Sequence, residues 1–307
     1  MASHRLDPAP TTVTDVFDPD RAPVLTVDPG DCLVVHTLDA SGYLSRPPAP
    51  GEQAPTLIPA ARGHCLAGPI EVRGAAPGDL LAIEVHSLVP DPWGWTVSVI
   101  RGKPLTTRLG LDGADPSWLL WDLDGTTGRN QYGHIVDLHP FLGVMGLPPA
   151  EPGEHSTIPP RPSGGNIDCR ELGAGATLYL PVTVPGAMLC VGDGHGAQGD
   201  GEVCGTALEC GMTTELRLDL VRDRPLTVLH AETPRARITF GLSADLNEAT
   251  AQALEAMITW MAGLYDLDRA TALALASPTV DLRVTQIAND VWGVHAVLAR
   301  TAIRMGR

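Results

Sequence analysis

The chain has 307 residues, 44% of them hydrophobic, and carries a formal charge of −15 with an isoelectric point near 4.9. That length and apolar content support one large folded unit with a real core and exclude a disordered chain. The acidity excludes a binder of nucleic acid or of anionic membrane surfaces, since both need a basic footprint.

The opening residues, Met-Ala-Ser-His-Arg-Leu-Asp-Pro-Ala-Pro, hold no apolar core of a secretory signal, and no run approaches the ~18 apolar residues of a membrane span, so the expected location is cytoplasmic. Along the chain, residues 26–27 lead through the turn Pro29-Gly30-Asp31 into an apolar stretch at 32–36, which reads as a strand. The same punctuation recurs before residues 80–85 and before residues 178–182, suggesting repeated β-turn-β units. Trp93 and Trp95 flank Gly94 with period-two spacing and suit a pocket wall or simple packing. Lys103, the only lysine, lies in Arg-Gly-Lys-Pro-Leu, which offers neither a Glu-Lys-Cys nor a Ser-Ser-Lys set. Asp122-Leu-Asp124-Gly opens like a calcium loop but lacks the later ligands. Pro-rich segments at 46–59 and 148–162 read as loops. The second leads into Ser-Gly-Gly-Asn-Ile-Asp168, and a long ordered loop of this kind tends to be functional.

The densest signal is at residues 192–209. Gly192, Gly194, Gly196, Gly199 and Gly201 alternate there with Asp193, His195, Gln198, Asp200 and Glu202, and Glu209 follows. So many glycines are costly in backbone entropy unless the chain must reach positive φ or approach another group closely. In an extended segment Asp193 and His195 share one face, and oxygen with imidazole suits zinc or a similar divalent ion. The plain alternative is a Gly/Asp-rich hairpin with solvated carboxylates. No phosphate-binding Gly-x-x-x-x-Gly-Lys motif and no Gly-x-Ser-x-Gly elbow occur.

Beyond this run, residues 214–229 alternate with period two, as do residues 280–287. Helix is confined mainly to 246–276. Asp245 caps its start, with Glu248 placed for a capping box, and Asp268 caps a second helix that stops near Ser277-Pro278. Cys32, Cys65, Cys169, Cys190, Cys204 and Cys210 are scattered without Cys-x-x-Cys pairs and read as reduced thiols; Cys169 could serve as a nucleophile, but buried packing is its simpler role. The fold class is mainly β, sandwich- or barrel-like, and α+β overall. One compact unit spans 1–307: a β-rich core at 28–245 carries the site, 246–276 is a helical insertion, and 279–307 is a returning strand and tail.

Six segments together resemble the acetamidase/formamidase family. They are Gly68-Pro-Ile-Glu-Val-Arg-Gly-Ala-Ala-Pro-Gly-Asp79, Pro140-Phe-Leu-Gly-Val-Met-Gly, Pro152-Gly-Glu-His-Ser-Thr-Ile-Pro, Gly164-Gly-Asn-Ile-Asp168, Leu178-Tyr-Leu-Pro-Val-Thr-Val-Pro-Gly186 and the 192–209 run. The chain departs from that pattern at Gly63-His-Cys-Leu-Ala-Gly68, where a proline and a hydroxyl residue are expected after the histidine, and at Arg161-Pro-Ser-Gly-Gly. The resemblance implies hydrolysis of a short amide such as formamide or acetamide, a homo-oligomer (a dimer), and a divalent ion, zinc with calcium as the alternative.

On this reading Asp168, Asp193 and His195 hold the ion, with an Asx turn as the competing role for Asp168. Glu202 is the general base and proton shuttle, with Glu209 in reserve. Gln198 orients the amide, and His64 is a second-tier proton carrier, as is His36. Two rivals stay open: a non-catalytic metal-binding β-protein with a closed coordination shell, and a related hydrolase of an ester, lactone or cyclic amide.

Overall fold

The computed structural model describes residues 2–98, 104–222 and 226–304; Lys103 lies outside them. Two long strands, Leu80–Val97 and Leu208–Val221, run antiparallel and form the spine of a sheet network that takes in eighteen strands of the described residues. The architecture is mainly β with few helices, as the alternating runs predict.

Period-two burial explains why these segments are strands. Leu33, Val35 and Thr37 face the core while Cys32, Val34 and His36 face outward, and Leu216 and Leu218 are buried between half-exposed Arg217 and Asp219. The inward set joins Leu81, Ile83, Leu142, Leu178, Leu189 and Ile238 in one large apolar cluster. Burying each such side chain contributes about 1.5–3 kcal/mol relative to leaving it exposed.

Two expectations need adjustment. The strand expected over 214–229 runs instead over Leu208–Val221. Its first five residues are buried on both faces, so no alternation marks them. The strand begun at Leu80 continues through Pro90 and Pro92 to Val97, because Asp91, Pro92 and Trp93 stand opposite the single residue Gly211 and the ladder is interrupted there. A five-residue helix, Pro104–Arg108, was not foreseen.

The C-terminal part is a three-stranded antiparallel ladder, Ala236–Ser243, Trp292–Ala299 and Val280–Gln286, covered by helices Leu246–Tyr265 and Arg269–Ala276. These pieces share a second apolar cluster that includes Ala253, Met257, Met261 and Ala296. Asp245 and Asp268 cap the two helices as expected: the Asp245 carboxylate accepts from the Asn247 N–H at 2.7 Å, and that of Asp268 from Ala270 and Thr271 at 2.9 and 3.0 Å. The capping box is not formed. Glu248 accepts from Gln252 Nε2 at 3.0 Å, and the Asp245 N–H is already satisfied by Ser243 Oγ at 3.1 Å. Gly241 allows the first helix to rest directly on its strand, since a Cβ there would collide with the Ala249 carbonyl. None of the described helices is long and apolar enough to cross a membrane.

One contact joins this C-terminal ladder to the glycine-rich corner. The Gly201 N–H donates to the Thr285 carbonyl at 3.0 Å, and the Ile287 N–H donates to the Gly201 carbonyl at 2.9 Å.

Candidate active site

Register across four strands lays out the first part of the site. Phe141 pairs with His195, His195 with Glu209, and Glu209 with Trp95, so one row of side chains crosses the sheet. Asp193 precedes His195 by two residues but is not regular strand: its φ is 59°. Both side chains still meet, with His195 Nε2 3.4 Å from Asp193 Oδ2 and 3.2 Å from Glu209 Oε2.

Asp168 arrives from the loop after Gly164–Asn166, where the Ile167 and Asp168 N–H groups both donate to the Gly143 carbonyl at 3.0 and 3.2 Å. Its φ is 53°, and that of Glu202 is 44°. Three site acids therefore sit in the left-handed region, which non-glycine residues adopt at a cost of order 1–3 kcal/mol each when the surroundings enforce it. Of the five glycines between 192 and 201, Gly201 has a positive φ, 105°. The acids between the glycines, not chiefly the glycines, carry the unusual conformation.

Asp168, Asp193 and His195 have donor atoms within 4.8 Å of one another, and so do His195, Glu202 and Glu209. All five side chains belong to residues at most 7% exposed. Both Asp168 oxygens, His195 Nε2, Glu202 Oε2 and Glu209 Oε2 are buried without a hydrogen-bond partner. This removes the Asx-turn role for Asp168, whose carboxylate accepts nothing. Such a gathering of unpaired acceptors is costly unless protons or a cation neutralise it.

At the centre stands Gly143, a glycine outside the 192–209 run that nothing local in the sequence marks out. A Cβ at this position would lie 2.5 Å from Asp193 Oδ2, 2.7 Å from Asp168 Oδ1 and 2.9 Å from His195 Cε1. Only the absence of a side chain lets the acids converge.

The electrostatics follow from burial. Desolvation pushes the Glu202 carboxyl up to about 8, and it also raises Glu209. Asp168 is raised well above the carboxylate range by burial and by the adjacent Glu202. Burial opposes ionisation of Asp193 too, but the imidazoles of His64 and His195 outweigh it and hold this carboxyl below its usual range. For His195 burial favours the neutral ring, yet Glu209 and Asp193 prevail and raise it. Without a cation, then, the cluster retains protons at neutral pH.

Gln198 does not face the cavity as an amide-orienting group. Its Nε2 donates to the Asp168 carbonyl at 2.7 Å, which fixes the amide's orientation and leaves Oε1 to accept from His195 Nδ1 at 2.9 Å. That bond assigns the Nδ1 proton and directs Nε2 at the acids, the arrangement usual for a metal-binding histidine. The donor set thus fits a zinc-class ion: imidazole plus several carboxylates, with the ring already oriented. An imidazole among the donors argues against calcium, which takes oxygen ligands.

His64 stands at the edge of the cluster, its Nε2 3.9 Å from Asp193 Oδ2 and its Nδ1 3.0 Å from Thr157 Oγ1. Thr157, buried in the Pro-rich loop, also accepts the His64 backbone N–H at 2.9 Å. His64, Asp193, Glu202, Glu209, Asn166, Trp95, Ile58 and Ile158 line a cavity of about 630 Å³.

Other candidates lie elsewhere. His36 pairs with Asp91 at 3.3 Å. Asp124 is consumed by a turn, accepting from the Thr126 and Thr127 N–H groups. Cys169 is fully buried, and desolvation pushes its thiol far up, which suits packing and not nucleophilic attack. Cys65, likewise raised by burial to about 12, packs against Gly42.

The model of the Acetamidase/Formamidase family matches residues 3–152 and 150–299. An acetamidase of Mycolicibacterium smegmatis is 30% identical over 219 residues, covering 52% of this chain and 54% of the relative. A formamidase of Methylophilus methylotrophus is 27% identical over 267 residues, covering 67% and 63%. The chain thus spans between half and two thirds of the length of these curated relatives. The crystal structure of an acetamidase from Bacillus halodurans superposes with a TM-score of 0.85 at 28% identity, covering 96% of this chain and 97% of that one.

Proposed function

The chain belongs to the acetamidase/formamidase family, and from that premise we propose that it hydrolyses a short primary amide to a carboxylate and ammonia, with a zinc-class ion held by Asp168, Asp193 and His195. The observation that carries this reading is the convergence of unpaired buried acids and one oriented imidazole around Gly143. An amide is a poor electrophile with a poor leaving group, so hydrolysis needs an activated water, a polarised carbonyl and an acid for the departing nitrogen. A zinc-class ion held by Asp168, Asp193 and His195 would supply a Lewis acid for the carbonyl and a lowered pKa for water.

The protein's own groups do the rest. Glu202 lines the cavity within reach of His195 and Glu209; it takes the proton of the attacking water and passes it to the nitrogen as the C–N bond breaks. Glu209 faces His195 Nε2 from the neighbouring strand and adds negative charge beside the ion site. Gln198 positions His195 and the Asp168 backbone. His64, with its Nδ1 against Thr157, presents Nε2 toward the reacting groups as a second proton carrier. The 630 Å³ cavity exceeds what a two-carbon amide needs, since pockets of about 300–1,000 Å³ hold drug-sized ligands. That volume favours acceptance of larger acyl groups or a cyclic amide as a second reading of the substrate. A cytoplasmic homodimer belongs to the same proposal; sedimentation checks the dimer, and cell fractionation the location.

The test is ammonia release from formamide, acetamide and propionamide, with chelator and with zinc restored. We expect release that chelation abolishes and zinc returns, and an Asp193→Ala variant that loses both bound metal and activity. Asp193→Ala with full activity and full metal content would sink the ligand assignment. Folded, zinc-loaded protein that releases no ammonia from any of the three would turn the reading to a larger or cyclic amide.

A further inference from the structure

On the outer face of the central sheet, about 20 Å along the strand from Glu209 by the rise of six residues, three metal-ligand types meet. Cys32 lies on the strand Cys32–Thr37, Glu215 on Leu208–Val221 and His86 on Leu80–Val97, and these strands are immediate neighbours. One ligand atom from each lies within 4.8 Å of the other two. We propose that Cys32, His86 and Glu215 form a second cation site, for a thiophilic divalent ion of the zinc class.

The register explains how the three come together. Glu215 pairs with Val34 on one side and Ser87 on the other, and Arg217 pairs with Cys32. Between Glu215↔Ser87 and Leu216↔Val85 the ladder slips, which leaves His86 as the extra residue of a bulge. A bulge bends the strand and re-aims the side chain it carries, and bulges concentrate at functional sites. Here the imidazole places Nδ1 3.9 Å from Glu215 Oε1.

The other ring nitrogen supplies a second, independent sign. His86 Nε2 lies 3.4 Å from Glu84 Oε2, within reach of donating its proton there. Glu84 is itself held by Arg217, whose Nη1 donates to Glu84 Oε1 at 2.6 Å while Nη2 donates to Asp219 at 2.8 Å. A carboxylate fixing one nitrogen of a histidine directs the other nitrogen at a metal. Glu84 therefore stands outside the ligand set and orients it.

Chemistry selects the ion. Thiolate, imidazole and carboxylate together match zinc, while magnesium and calcium take oxygen donors. With zinc bonds of about 2.0–2.3 Å, bound ligand atoms sit roughly 3.5 Å apart. Closing from the present spacing needs about 1 Å of side-chain movement, which half-exposed Cys32 and Glu215 and exposed His86 can make. Cys32 is a free thiol. Three ligands leave a fourth position open to water.

Cobalt(II) alone is the spectroscopic stand-in, because thiolate coordination gives a near-ultraviolet charge-transfer band that carboxylate and imidazole ligands lack. The whole protein should show that band on cobalt titration, zinc should displace it, and Cys32→Ser should lack it while hydrolysing amide at an unchanged rate. Glu84→Gln should weaken cobalt binding about 10–100-fold without abolishing the band. Zinc should also slow alkylation of Cys32 at least tenfold. A band that persists in Cys32→Ser, cobalt bound to the wild type with no band, or alkylation of Cys32 indifferent to zinc would overturn the proposal. The active-site reading is untouched by any of these results, since its donor set contains no cysteine.

Discussion

Gly143 shows how much a single hydrogen atom can decide. Its carbonyl holds the Ile167 and Asp168 N–H groups, and its missing side chain leaves the space where two acids and an imidazole converge. Gly143→Ala should fold at a cost of about 1–3 kcal/mol, typical of one excess methyl in a packed interior. It should lose bound metal and most activity, as read by metal analysis and ammonia release; a variant with wild-type metal content would show that the acids do not depend on this space. The charge state of the same cluster sets a pH dependence. Asp168, Glu202 and Glu209 are raised above the carboxylate range, and His195 is raised above the imidazole range. Groups with raised folded pKa stabilise the fold most at low pH and lose that contribution as pH climbs through the folded value; within the cluster Asp193 opposes them, as does His295 elsewhere, which burial pushes down to about 3. Chelated protein should therefore melt at progressively lower temperature as pH rises from the ordinary carboxylate range through about 8. Zinc should flatten that slope, because it favours the ionised carboxylates. Thermal unfolding across pH with and without chelator checks this, and a chelated protein that grows more stable over that window would refute it.

At the scale of elements, the C-terminal helices depend on close backbone approach. Gly241 lies under the helix Leu246–Tyr265, and a Cβ there would press on the Ala249 carbonyl, which is backbone and cannot swing aside. Gly241→Ala should lower stability by at least about 1–3 kcal/mol. Circular dichroism should show helix lost ahead of strand on heating, and melting of both at the wild-type temperature would exclude this role. Some elements are legible in the sequence because their causes are local. Asp245 and Asp268 cap their helices with side chains two and three residues away, and the 32–36 strand follows period two. The first residues of Leu208–Val221 are not legible, because burial on both faces erases the alternation. The same division runs through the site. Asp193, His195 and Glu202 stand out because they are crowded into one glycine-rich run. The neighbours that give them meaning come from register: Glu209 beside His195, Gly143 beneath Asp193, and Thr157 behind His64. Gln198 stands in the same run, but its task in orienting His195 emerges only when the Asp168 carbonyl is brought to it.

For the whole molecule, 36 acidic residues against 21 basic ones leave a charge of −15. Self-repulsion of that size weakens the compact state at low ionic strength. Raising salt from about 10 to about 150 mM shortens the Debye length from roughly 30 to 8 Å, and the melting temperature should rise with it; an unchanged midpoint would mean that local pairs already balance the excess. Site residues are spread from His64 to Glu209, and the corner that bears Glu202 is tied by Gly201 to Thr285 and Ile287. Contacts so distant in sequence form late, after the chain has paid to close long loops. The corner that bears Glu202 therefore reaches its final place only once Thr285 and Ile287 are in position.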